Sequence, residues 1–208
     1  MIRSKRADAA FEKGLDAYLA TVADHGFNAS TFTARVVAST RAGLISSVLA
    51  ALCALKGPLH GGAPGPVLDM FDEIGKPENA AAWLDDAFAK GTRLMGFGHR
   101  IYKVRDPRAD VLKNTVATLP QTAGRLAFAV EVEKSAIAAL RRHKPGQRLD
   151  TNVEFYTALL LEALEVPRSA FTALFAVGRV AGWCAHIFEQ EKGGRIIRPQ
   201  SNYVGTRP

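Results

Sequence analysis

Cysteine is scarce in this chain: two in 208 residues, Cys53 and Cys184. Two thiols allow one disulfide at most, so the fold must be held by its core rather than by cross-links. Each lies in an apolar stretch, LAALCALKG and AGWCAHIFEQ, which predicts two buried thiols in a reducing compartment, the cytoplasm. No CxxC or HExxH pattern occurs, so the five histidines carry no metal-ligand spacing and no metal site is expected. There is no P-loop signature, and the short Gly96–Phe97–Gly98 is followed by no strand-to-helix dinucleotide pattern. No apolar run reaches membrane-spanning length. The first twenty residues read as an amphipathic helix rather than a secretion signal, so no membrane partner is expected. Strand–helix alternation, internal repeats and low-complexity runs are also missing.

What is present is helix. A composition of 48% hydrophobic and 23% charged residues excludes disorder and suits one sizeable core or two small ones. Net charge is +7, which favours anionic partners of any kind without choosing among them. Phe11, Leu15, Leu19 and Val22 recur at helical spacing. From Ala29 to Leu55 small residues occupy several faces. That predicts two closely packed helices with a break near Gly43, buried against other helices or another subunit. GPLHGGAPGP reads as a loop before a helix striped by Val67, Leu68, Phe71 and Ile74. Asn79 can cap the next helix, which carries Trp83, Leu84, Ala87 and Phe88. Asp106 and Pro107 suit the cap and first turn of another. Three more are expected over about 123–142, 153–164 and 168–192, before an extended tail. The expected fold class is all-α.

Three places could carry chemistry. His60 sits in GPLHGG, His99 in MGFGHRIYKVRDPRA, and Glu154 in NVEFY. Each has a plain structural explanation: a tight turn, a surface loop, a carboxylate at a helix N-terminus. Together, two histidines in glycine-lined bends and one carboxylate resemble a general acid–base set. A helix N-terminus disfavours imidazolium, and the nearby arginines suit a small polycarboxylate.

Six stretches in order, ADHGFNASTFTARV, KGPLHGGA, MGFGHRIYKVRDPRA, NVEFY, FAVGRVAGW and RIIRPQSNYVG, resemble citrate synthase over nearly the whole chain. The resemblance implies an all-helical, two-domain homodimer that condenses oxaloacetate with acetyl-CoA and hydrolyses the thioester to citrate and CoA. Acetyl-CoA is then a co-substrate, and no tightly bound cofactor is implied. By motif position, His60 would hydrogen-bond the thioester oxygen, His99 would polarise the oxaloacetate carbonyl, and Glu154 would remove the acetyl proton. His25, His99, Arg108 and Arg179 would bind oxaloacetate, with Arg198 reaching across from a neighbouring subunit. Lys103 would meet a CoA phosphate, and Leu94, Gly96, Phe97, Gly98 and Asn152 would line the CoA arm.

Two departures stand out. Familiar members of that family carry aspartate where Glu154 stands. The extra methylene moves the carboxylate by about an ångström, enough to cost on the order of a hundredfold in rate unless the backbone compensates. A working base is expected. The chain also lacks the long helical region that precedes ADHGFNAS in those enzymes, the N-terminal part of the large domain. Residues 1–60 are expected to belong to the large domain, 61–165 to a moving small domain, and 166–208 to the return and tail. An uncovered apolar helix pair needs a partner. The chain is therefore expected to be a piece of a longer protein, to meet a partner chain supplying the missing half, or to be a reduced fold. Two other functions stay open: a 2-methylcitrate synthase using propionyl-CoA, and a non-catalytic or partner-dependent subunit. No nucleic-acid partner is expected, since no binding motif accompanies the charge.

Overall fold

The computed structural model describes residues 6–62, 64–98 and 105–206. Polar side chains open several helices. Asp8 accepts from the Phe11 amide at the start of α1 (Ala9–Val22), and Asn28 from the Thr31 amide at the start of α2 (Ala29–Ser39). Gly43, at φ 86°, makes the expected break before α3 (Leu44–Leu55). α4 (Pro64–Ile74) begins inside the stretch expected to be loop, because prolines at 64 and 66 fit a first turn whose amides need no intrahelical partner. Asn79 precedes α5 (Ala80–Ala89) but does not cap it. Its side-chain nitrogen donates to the Ile74 carbonyl at 3.0 Å and closes α4 instead. Asp106 caps α6 (Pro107–Ala117), and α7 (Ala123–His143), α8 (Val153–Ala163) and α9 (Phe171–Gly193) follow where expected. Among the described residues the only β-type pairing is an isolated bridge between Phe97 and Thr151, so the all-α class holds.

α2 packs on α3, and both lie on α9, while α1 lies between α9 and α6. α4 and α6 pack on α8, and α5 on α7. Aromatic rings lock this second group: Phe71 meets Phe155 edge-on at 5.1 Å and Phe128 at 5.7 Å, and Phe97 meets Phe155 at 5.3 Å. α1 approaches α9 so closely that a side chain on α9 would not fit. A Cβ at Gly178 would fall 2.5 Å from a Val22 methyl, and one at Gly182 would fall 2.2 Å from the Ala23 carbonyl oxygen. This contact lays the turn after α1, which carries His25, along α9 beside Arg179.

Cys53 is exposed, which corrects the expectation of two buried thiols; Cys184 is half-buried, and both are free. The cause is a second apolar face on α3. Ser47, Ala51 and Leu55 are buried, whereas Ile45, Leu49 and Leu52 on the other side are 71%, 55% and 37% exposed. A second correction concerns the run Arg168–Gly193, which is long and apolar enough to cross a membrane by length and composition. In the fold its Phe171, Phe175, Trp183 and Ile187 are buried in the protein core.

Candidate active site

Arg179 on α9 is the centre of a cluster of charges. Only 2% exposed, it donates from Nε to the Val22 carbonyl at 2.6 Å and holds its guanidinium 4.9 Å from the Phe175 ring centroid. Burial, and then the charge of Arg108, pull its pKa down to about 10, so it stays cationic at neutral pH. Two guanidinium groups close enough to repel each other favour an anion between them.

His60 lies in the turn between α3 and α4, with its ring edge-on to Phe175 at 6.4 Å. Its Nε2 is 2.9 Å from the Oγ of fully buried Ser30. Ser30 also receives the Trp183 indole N–H at 3.1 Å and donates its own hydrogen to Asn28 Oδ1 at 2.8 Å. Burial first, and Arg179 second, lower the His60 pKa, so the imidazole is neutral near pH 7. Neutrality was expected from a helix N-terminus, but burial and a neighbouring cation produce it.

Glu154 occupies the first turn of α8, where its amide donates to the Asn152 side-chain oxygen at 3.0 Å. Burial pushes its carboxyl up to about 7, against the pull of Arg108 and Arg179. The Tyr18 phenol on α1 is raised by burial and then by the Glu154 charge. His60 and Glu154, 94 positions apart in sequence, thus lie in the field of one arginine.

Arg108 is held by Asp106, which is fully buried. Asp106 Oδ1 accepts from the Arg108 amide and Nε, both at 3.0 Å, and Oδ2 accepts from Arg108 Nη2 at 2.8 Å. The same Oδ2 takes the Val153 amide at 3.2 Å, tying this segment to α8 one residue before Glu154. Burial acts to raise the Asp106 pKa, and the Arg108 contacts outweigh it, so the carboxyl is held below its ordinary range.

The structure therefore brings His60, Glu154, Arg108 and Arg179 into one cluster, with the His25 turn against α9. His99 and Lys103 lie outside the described residues. Arg198 is exposed in the tail, and no described contact joins it to the cluster. Leu94 and Phe97 are buried in the core, so their side chains support the segment from behind. Gly96 and Gly98 are tied by their backbones to the start of α8: the Asn152 amide donates to Gly96 O at 2.9 Å, Asn152 Nδ2 to Gly98 O at 2.9 Å, and the Gly98 amide to Asp150 O at 2.8 Å. Sequence reasoning missed Ser30, Phe175, Asp106 and Tyr18. The first three lie inside the quoted motifs, but serine, phenylalanine and a capping aspartate announce no chemistry until their neighbours are known. Among the described residues no group of three or more His, Cys, Asp or Glu could hold a metal ion.

Residues 1–200 match the family described as citrate synthase, C-terminal domain. The citrate synthase of Synechocystis sp. is 41% identical over 208 residues, covering 99% of this chain and 51% of that protein. Among solved structures, the ternary complex of carboxymethyl coenzyme A and oxaloacetate with citrate synthase from Thermoplasma acidophilum matches with a TM-score of 0.87 at 34% identity. It covers 99% of this chain and 55% of its own. Citrate synthase from Pyrobaculum aerophilum matches at 0.84 and 38% identity, over 99% of this chain and 51% of its own. The chain spans about half the length of these relatives.

Proposed function

Because the chain belongs to the citrate synthase family, we propose that it carries the site where oxaloacetate condenses with acetyl-CoA, followed by thioester hydrolysis to citrate and CoA. The observation that carries this reading is the pair His60 and Glu154, shifted in opposite directions toward neutral donor and strong base around one arginine.

Glu154, with a pKa of about 7, is a better base than an ordinary carboxylate and is still ionised in good part at neutrality. It takes a proton from the acetyl methyl group, and the electron pair moves onto the thioester oxygen. His60 donates a hydrogen bond to that oxygen, and one well-placed donor is worth roughly 3 kcal/mol. Ser30 gives its one hydroxyl hydrogen to Asn28 Oδ1 at 2.8 Å and therefore accepts from His60 Nε2–H at 2.9 Å, so Nε2–H is the donor the neutral imidazole can turn from Ser30 to the thioester oxygen. The nucleophilic carbon attacks the oxaloacetate keto carbon, forming one C–C bond, and the carbonyl oxygen gains a proton from His99. Water then breaks the C–S bond and CoA leaves as the thiol. Arg179, Arg108 and His25 hold the oxaloacetate carboxylates, joined by Arg198 from a neighbouring subunit. Lys103 meets a CoA phosphate, and the Gly96–Gly98 backbone with Asn152 borders the CoA arm, backed from the core by Leu94 and Phe97. Residues 61–165 close over the rest of the protein, and the exposed face of α3 receives a second copy.

The test is thiol release from acetyl-CoA in the presence of oxaloacetate, with oxaloacetate binding followed by calorimetry. His60→Ala and Glu154→Gln are each expected to remove more than about 99% of turnover while binding persists. Arg179→Leu weakens oxaloacetate binding instead. Wild-type kinetics in the first two variants would overturn the assignment, and a strong kcat/KM preference for propionyl-CoA would make it a 2-methylcitrate synthase.

A further inference from the structure

The turn that carries His25 and the tail that carries Arg198 come from opposite ends of the chain, and one side chain on α2 touches the supports of both. Arg35 is 18% exposed. Its Nη1 lies 3.2 Å from His186 Nδ1 and pairs with Glu189, while its Nε donates to Gln190 Oε1 at 3.2 Å. Arginine has only donors, so His186 Nδ1 must carry the lone pair and Nε2 the proton. That proton faces Asp24 Oδ1 at 3.1 Å. Asp24 Oδ2 in turn accepts the Gly26 amide at 3.1 Å, so Asp24 grips the turn on both sides of His25.

The other branch is fixed by the same logic. Gln190 offers its oxygen to Arg35, which leaves its nitrogen to donate to the Arg195 carbonyl, 3.0 Å away. Two residues on, the Ile197 amide donates to Ser39 Oγ at 3.0 Å, so the tail is pinned to α2 directly before Arg198. Reversing either His186 or Gln190 would set donor against donor at Arg35. The acceptors at the far ends, Asp24 Oδ1 and the Arg195 carbonyl, demand the same orientations, so donors and acceptors match along both branches.

We propose that Arg35, acting through His186 and Gln190, is a positioning residue that couples the His25 turn to the Arg198 segment and so sets oxaloacetate affinity. Arg35 is assigned no contact with substrate. The inference rests on the oxaloacetate reading above, and its test separates the two. Arg35→Met keeps the aliphatic stem and removes the fork. Hydrogen exchange followed by mass spectrometry, on the full chain without substrate, is expected to speed up together in peptides covering 24–28 and 195–198 and nowhere else. His186→Phe should loosen only the first segment and Gln190→Leu only the second. In steady-state assays Arg35→Met should raise KM for oxaloacetate about tenfold, the scale of one lost charge-assisted contact. KM for acetyl-CoA and kcat stay within about twofold. If Arg35→Met does not fold, Arg35→Lys, which keeps charge but loses the fork, should shift the same quantities in the same direction by roughly threefold.

Exchange that rises at one end only or throughout the chain, or an unchanged oxaloacetate KM in a variant whose wild type binds oxaloacetate, overturns the inference alone. A wild-type protein that neither binds nor turns over oxaloacetate overturns the functional reading and this role with it.

Discussion

Glu154 shows how much a single carboxyl can report. Its folded-state pKa of about 7 lies above the ordinary 4.5, so its contribution to stability is full below about 4.5 and is lost as pH rises through about 7. Glu154→Gln is therefore expected to be more stable than wild type at pH 8, by about 1–3 kcal/mol, and equal to it at pH 4. Urea midpoints at the two pH values check this, and a gap independent of pH would contradict it. In the wild type, kcat/KM should fall with unit slope below about pH 7. His60 and Glu154 could be named from motif words alone. Their protonation states could not, because those depend on burial and on Arg179, which lies 119 positions from one and 25 from the other.

Helix boundaries were largely legible because caps, prolines and glycines act within a few residues. Asp106, Asn28 and Gly43 did what their types suggest, whereas Asn79 did not, since an acceptor on the preceding helix competed for its amide. The ties between helices were not legible. Glu133 in the middle of α7, almost fully buried, accepts from Thr151 Oγ1, Tyr156 OH and Arg105 Nη1, each at 2.6 Å, with Lys113 Nζ at 3.5 Å. It thereby binds α6, α7 and α8 around the segments that carry Arg108 and Glu154. Burial acts to raise its pKa, and the hydrogen bonds from Thr151, Tyr156 and Arg105 outweigh that, so the carboxyl is held below its ordinary range. Its stabilisation is present above that ordinary range and is lost as pH falls through the depressed value. Glu133→Leu is expected to cost about 2–4 kcal/mol at pH 7, less than a wholly buried pair because Arg105 is partly solvated. A loss under about 1 kcal/mol in urea titrations would mean the network contributes little net stability.

The apolar residues of α3 point two ways, and that determines how the protein can exist in solution. One face, with Ala51 and Leu55, is spent on the core, and the other shows Ile45, Leu49 and Leu52 to solvent. Such a patch favours association. Sedimentation of the wild type is expected to give a mass well above the 22.4 kDa of one chain, and Ile45→Glu with Leu49→Glu to bring it down to that value. A wild type that sediments as a single chain would overturn the proposed docking of a second copy. Arg198 belongs to the same question, since no described contact joins it to the cluster around Arg179.

Residue order was enough to establish helix, the absence of a disulfide scaffold and the words of the family, because period, capping and motif spacing are local properties of a chain. It could not say which apolar face stays uncovered, why His60 is neutral, or that Arg35 links the two ends. Those outcomes depend on which distant groups packing brings together and on how far it removes each of them from water.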